Sequence, residues 1–176
     1  MALTLANEDG TGRADANSYA TRAEGNAYHE GHVAASDWTA ATDAQKDAAL
    51  VMATRALDAL FRFDGWKRTS AQALQWPRMR CPDVEHAAGA DYLPEDSVPV
   101  ALRDAACELA RHFLAEDRTG DAEGVGLRSL SIEGALRMVF DPLRPKPVVP
   151  QFVQAMLARV ATYQGRRSGS VPLIRV

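Results

Sequence analysis

Cysteine is scarce in this 176-residue chain: Cys81 and Cys107 are the only two, and they form no Cys-x-x-Cys pair. That excludes a disulfide scaffold and a zinc site built on paired thiolates. In a reducing compartment both stay thiols, and Cys107 reads as a small core residue on a helix. Aromatic residues are few and alanine is abundant, so the core should be thin and helical. No run approaches the roughly 20 apolar residues that span a bilayer. The opening stretch, Met1 to Asp9, lacks the basic-then-apolar order of a secretory leader, so a cytosol-like compartment is expected. Acid is missing from one end. Residues 142–176 carry Arg144, Lys146, Arg159, Arg166, Arg167 and Arg175 with no Asp or Glu, a net +6. Residues 1–141 hold 14 Lys/Arg against 23 Asp/Glu, a net −9. Such segregation means either that the two ends face different partners or that a basic tail folds back on its own acidic body.

Motifs for catalysis are missing too. The chain has no Gly-x-Ser-x-Gly elbow, no phosphate-cradling Gly-Lys-Ser/Thr loop and no Gly-x-Gly-x-x-Gly turn. His29 and His32 have a spacing that lets them share a helix face, but no third ligand stands nearby to complete a metal site. His86 and His112 read as isolated loop and helix-surface residues. The pairs Glu95/Asp96 and Glu116/Asp117 fall at helix boundaries, where solvated charge is the ordinary role. No catalytic residue, cofactor or metal is expected, and the chain does not read as an enzyme.

What is present is mostly helix pattern. Residues 1–16 have little apolar weight and read as a flexible lead-in. Thr21-Arg22-Ala23-Glu24 and Thr42-Asp43-Ala44-Gln45 both have capping-box spacing. The first helix should run to about Gly31, with Ala27 and Tyr28 on its inner face. The second reaches about Phe61, with Ala49, Leu50, Ala53, Ala56, Leu57, Leu60 and Phe61 as its apolar stripe. A further helix opens at Val98-Pro99, with Leu102, Ala105, Ala106, Leu109, Ala110, Phe113 and Leu114 as its apolar stripe. Two alternating runs around Glu133-Gly134, over about 127–140, predict a β-hairpin whose Leu130, Ile132, Leu136 and Val139 contact a neighbouring element or subunit. A last helix starts near Pro150. Residues 164–176 form an extended C-terminal arm with an apolar end. The fold class is mainly α: a small helical bundle, residues 17–163, with one hairpin and that arm.

The segment between the second and third long helices is the most distinctive. It holds Gln72-Ala73-Leu74-Gln75-Trp76-Pro77-Arg78, with a short helical turn expected over Ser70 to Leu74. Pro77 fixes its own φ and biases Trp76 towards extended backbone, which holds a large apolar ring at a set angle. Trp38, Trp66, Trp76, Pro77 and Arg78 are the expected structural anchors. Lys67, Arg68, Trp76, Arg78 and Arg80 also offer a local version of the basic groove with interleaved aromatics that a single-strand binder needs. The acidic body argues against it.

These residues carry a resemblance. Asn17-Ser18-Tyr19, Tyr28, Trp38, the stripe from Ala49 to Leu57, Phe63, Gly65, Gln72 to Arg78 and Val98-Pro99 together resemble a family of tailed-bacteriophage head–tail connector proteins. The family is often labelled DnaT-like single-strand DNA-binding protein. The similarity covers roughly residues 15–118, and the Gln-x-Leu-x-Trp-Pro-Arg element is its most specific part. It implies a structural virion protein of the neck, a head-to-tail adaptor assembled in the host cytoplasm. Such a subunit forms a homo-oligomeric ring, twelvefold when it matches the portal, between portal and a stopper or tail-terminator protein. Double-stranded DNA passes through the lumen without sequence-specific contact. In that setting Arg166, Arg167, Val171, Leu173, Ile174, Arg175 and Val176 are the portal-binding arm. The label itself implies the alternative, a replication protein that binds single-stranded DNA.

Overall fold

The computed structural model describes residues 3–85, 89, 91–119, 129–132, 136–139 and 147–165. Five helices are present among them: α1 (Arg22–Glu30), α2 (Ser36–Ala40), α3 (Asp43–Leu60), α4 (Val100–Ala115) and α5 (Gln151–Leu157). Both capping boxes form. The Thr21 hydroxyl accepts the Glu24 N–H and the Glu24 carboxylate accepts the Thr21 N–H; Thr42 and Gln45 do the same at the start of α3. Each box satisfies two amides that a helix start leaves without intrahelical partners.

The chain is not the mainly α bundle that its pattern suggests. It is a mixed α and β fold with three two-stranded antiparallel sheets among the described residues. β1 (Phe61–Phe63) pairs with β6 (Ala161–Tyr163), β2 (Trp66–Lys67) with β3 (Arg78–Met79), and β4 (Ser129–Ile132) with β5 (Leu136–Val139). Strands of two or three residues are too short for a two-residue period to stand out, and Phe61 reads equally well as the end of the α3 stripe. The expected turn at Ser70 to Leu74 is a series of bends instead. For the hairpin, the backbone pairing alone is described, so the roles assigned to Leu130, Ile132, Leu136 and Val139 lie outside the described side chains. The arm from Arg166 to Val176 and His86 lie outside the described residues altogether.

One core joins these pieces. α3 packs along α4, so that Leu50, Ala53 and Leu57 meet Leu102, Ala105, Ala106 and Leu109, all buried. α5 closes one side with Val153 and Leu157, preceded by the buried Val149. The α1 face differs from the expected one: Ala27 is exposed, while Gly25 and His29 are buried. Gly25 lies under Trp38 of α2, and a methyl group there would sit 2.6 Å from the indole Cζ2. Trp38 is itself buried, with its N–H donated to Asn26 at 3.0 Å, so it has little room to yield. Alanine in mid-helix normally gains about 1 kcal/mol over glycine. Here the overpacking should win, and Gly25→Ala should destabilise the fold by about 2 kcal/mol. A urea melt of that variant checks the sign, and a raised midpoint would refute the packing argument.

The lead-in is extended and hydrogen-bonded. The buried Glu8 carboxylate accepts the amides of Gly10, Gly12 and Arg13 at 2.9–3.0 Å. Gly10 has φ +98 and passes so close to Asp96 that a Cβ would meet its carbonyl oxygen at 2.0 Å. The hook also touches the loop that follows β2, through Ala73 N–H to Arg13 O and Arg68 Nη1 to Gly10 O.

Candidate nucleic-acid interface

Residues 72–76 alternate: Gln72, Leu74 and Trp76 point inward and are buried, Ala73 is exposed and Gln75 half-buried; Pro77 and Arg78 after them are both buried. The inward polar groups bind backbone. Gln72 Nε2 donates to the carbonyls of Leu74 and Pro77 at 2.9 and 3.0 Å. Arg78 donates to the carbonyls of Asp64 and Gly65, both at 2.6 Å, and to Gln75. The amides of Gln75 and Trp76 donate to the Tyr19 hydroxyl at 3.1 and 3.2 Å. Tyr19 in turn donates to Asp58, which also accepts the Gln75 amide. Burial pushes the Asp58 carboxyl up to about 6, against the opposing effect of those donors. Trp76 is fully buried, preceded by Gln75 and joined to Pro77 by a cis peptide bond, with its ring edge-on to Phe63.

Of the groups proposed for nucleic acid, Trp76 and Arg78 are therefore inside the fold and unable to meet a ligand. Trp66, expected among the anchors, is outside. It is 50% exposed, whereas Trp38 and Trp76 are 1% and 0%. Gly65 sets it there: its φ of +70 makes the turn, and a Cβ would lie 2.2 Å from the Met79 carbonyl. β2 then lays Trp66 opposite Met79 and Lys67 opposite Arg78. The next residue, Arg80, is the only non-glycine with positive φ among the described residues, at 52°. Its guanidinium lies over the Trp66 ring, 5.7 Å from the centroid, and its amide donates to Glu95. A left-handed arginine is costly where glycine or asparagine would not be, and such outliers cluster at working sites. Beyond Arg80, Pro82 bridges to Tyr92, a second ring with 45% exposure. The arrangement is an exposed aromatic face with the Arg80 cation held over it; Lys67 lies on the other side of β2, with its Nζ at the Gln72 carbonyl.

A second polar cluster was hidden by its position. Glu108 lies on the buried side of α4, between Ala105 and Leu109 and within its apolar stripe. Its carboxylate meets Arg111 at 2.5 Å, His112 at 3.3 Å and His32 at 3.6 Å, with the Tyr28 hydroxyl at 3.5 Å. Despite burial, the hydrogen bonds and charges of His112 and Arg111 hold the carboxyl down at about 2. His112 is thus no isolated surface residue. His29 Nε2 lies 3.1 Å from the Cys107 carbonyl, so that nitrogen carries the proton and Nδ1 is bare, with no partner among the described residues. Burial accordingly lowers the His29 pKa. Among the described residues no group of three or more His, Cys, Asp or Glu is arranged to hold a metal ion. No helix among them is long and apolar enough to cross a membrane.

Fold and surface together define a small mixed α and β domain that presents an aromatic–arginine face. The family profile described as "Putative DnaT-like ssDNA binding protein" matches residues 3–176, and the chain belongs to that family. No curated protein and no solved structure matches it.

Proposed function

We propose that this protein binds single-stranded DNA by stacking bases on Trp66, with Arg80 beside it, and that it catalyses no reaction. The observation that carries this reading is the half-exposed indole beneath a guanidinium, in a chain whose family is named for single-strand binding. An unpaired base offers a π-face of any sequence, and one base–aromatic stack is worth about 1–3 kcal/mol. The body carries net negative charge, which weakens phosphate attraction and leaves stacking as the main source of affinity. Titration with an oligothymidine should quench tryptophan fluorescence. Trp66→Ala should lower affinity about 10- to 100-fold with the far-UV spectrum unchanged. Trp38 and Trp76 are buried, so the quenchable signal should vanish with Trp66. Equal affinity in wild type and variant would refute the site.

A second reading is favoured by the charge segregation and by the resemblance to phage neck proteins. In it the chain is a head-to-tail adaptor of the virion, ringed beneath a portal and above a stopper or tail-terminator protein, around passing double-stranded DNA. The acidic body suits a lumen along which DNA slides without sticking. β4 and β5 pair only with each other among the described strands, which leaves edges for a neighbouring subunit. Particle mass measured with and without portal separates the two readings: a ring that forms on portal and ignores oligonucleotides supports the adaptor.

A further inference from the structure

Between the first half of α3 and the end of α4 lies an open groove of about 370 Å³ that neither reading uses. Ala48, Ala49 and Met52 line one wall; Phe113 and Leu114 line the other, and Asp117 stands at the end. The lining is mostly apolar, with Gln45 and the single carboxylate of Asp117 as its polar groups. Asp117 accepts the Thr119 amide and hydroxyl on one oxygen, at 2.9 and 2.7 Å, an arrangement that keeps it ionised.

The chain itself contains a peptide of matching chemistry. Val171-Pro172-Leu173-Ile174-Arg175-Val176 is apolar apart from one cation, and the segment from Pro142 onward holds no acid to oppose Asp117. In an extended peptide alternate side chains share a face, which places Val171, Leu173 and Arg175 together: two aliphatic groups, then a cation. That order fits an apolar floor ending in a carboxylate.

Reach decides whose peptide it is. The Gln164 amide donates to the Leu60 carbonyl at 2.7 Å, which fixes the start of the arm at the far end of α3. From Leu60, Met52 and Gln45 lie about 12 and about 22 Å back along the helix axis. An extended chain from Gly165 spans up to about 28 Å by Leu173. The arm therefore reaches its own groove with slack. A tethered peptide competes at an effective concentration of about millimolar, well above that of another copy in dilute solution.

We propose that the C-terminal peptide Val171–Val176 docks in cis into the α3–α4 groove, with Val171 and Leu173 on Ala48, Met52 and Phe113 and with Arg175 on Asp117. The inference rests on neither functional reading. If the chain is an adaptor, the arm must leave this groove before it can engage a portal.

The test is disulfide trapping in the full-length chain. Cys81 and Cys107 are both buried, with thiols pushed up to about 11 and about 12, and should stay silent. The double variant Ala48→Cys with Leu173→Cys should, with oxidised glutathione, form an intramolecular disulfide. Its rate should be at least 10-fold that of Ala34→Cys with Leu173→Cys, an exposed control position on the α1–α2 connection. The rate should not change on dilution, and adding Arg175→Glu should slow it. Equal rates at the two positions would overturn the proposal. So would a disulfide-linked dimer, which would make a second copy the occupant. Faster trapping of Ala48→Cys by Leu130→Cys would give the groove to the hairpin and overturn it equally.

Discussion

Trp76→Ala should destabilise the protein by about 4 kcal/mol, the largest loss expected from a single aromatic truncation here. The ring is fully buried, stands edge-on to Phe63, and fills the space beneath the crossover from β2 to α4. Removing it leaves a cavity bounded by backbone that Tyr19, Gln72 and Arg78 hold in place, so the site cannot collapse. Trp76→Phe should cost far less, about 1–2 kcal/mol. The indole N–H has no acceptor among the described residues, so losing it breaks nothing. Urea unfolding followed by far-UV circular dichroism measures both. A loss under 1 kcal/mol for the alanine variant would show that the crossover is held by its hydrogen bonds alone.

Glu108→Gln should cost about 3 kcal/mol at neutral pH, and the cost should depend on pH. The carboxylate is 3% exposed and faces Arg111, so the amide would leave a largely buried guanidinium unpaired. The sign follows from the folded-state pKa, which lies at about 2 against an ordinary 4.5. The unfolded chain takes up the proton first as pH falls. The stabilisation is therefore complete above about 4.5, declines below it, and is lost as pH passes through about 2. Wild type and variant should differ by about 3 kcal/mol at pH 7 and converge near pH 2. A difference that stays constant with pH would mean that Glu108 acts through shape and hydrogen bonding, with no contribution from charge.

The helices were legible because their cause is local. Thr21 with Glu24 and Thr42 with Gln45 mark two starts, and stripes at three- and four-residue spacing mark the inner faces of α3 and α4. The strands were not, because their cause is distant: Phe61 to Phe63 become a strand only when Ala161 to Tyr163 arrive to pair with them. The site was legible by residue type and not by side. Trp66 opens a short strand and Trp76 precedes Pro77, but neither local setting says which ring is buried. Gly65 turns the first outward, and Tyr19 with Asp58 draws the backbone of the second inward. Burial of Gln72 disguised a two-residue alternation that pattern reading assigns to apolar side chains. Glu108 could have been found, since a carboxylate inside an apolar stripe demands a cation one turn away, and Arg111 and His112 stand there.

The pairing of β1 with β6 also sets a schedule. Phe61 to Phe63 leave the ribosome long before Ala161 to Tyr163 exist, and Val149, Val153 and Leu157 belong to the same buried cluster. Until then α3 and α4 can form and meet, but one side of their core faces water. Until residues 149–163 emerge, the nascent chain thus carries an unfinished apolar surface along α3 and α4, and their arrival closes it.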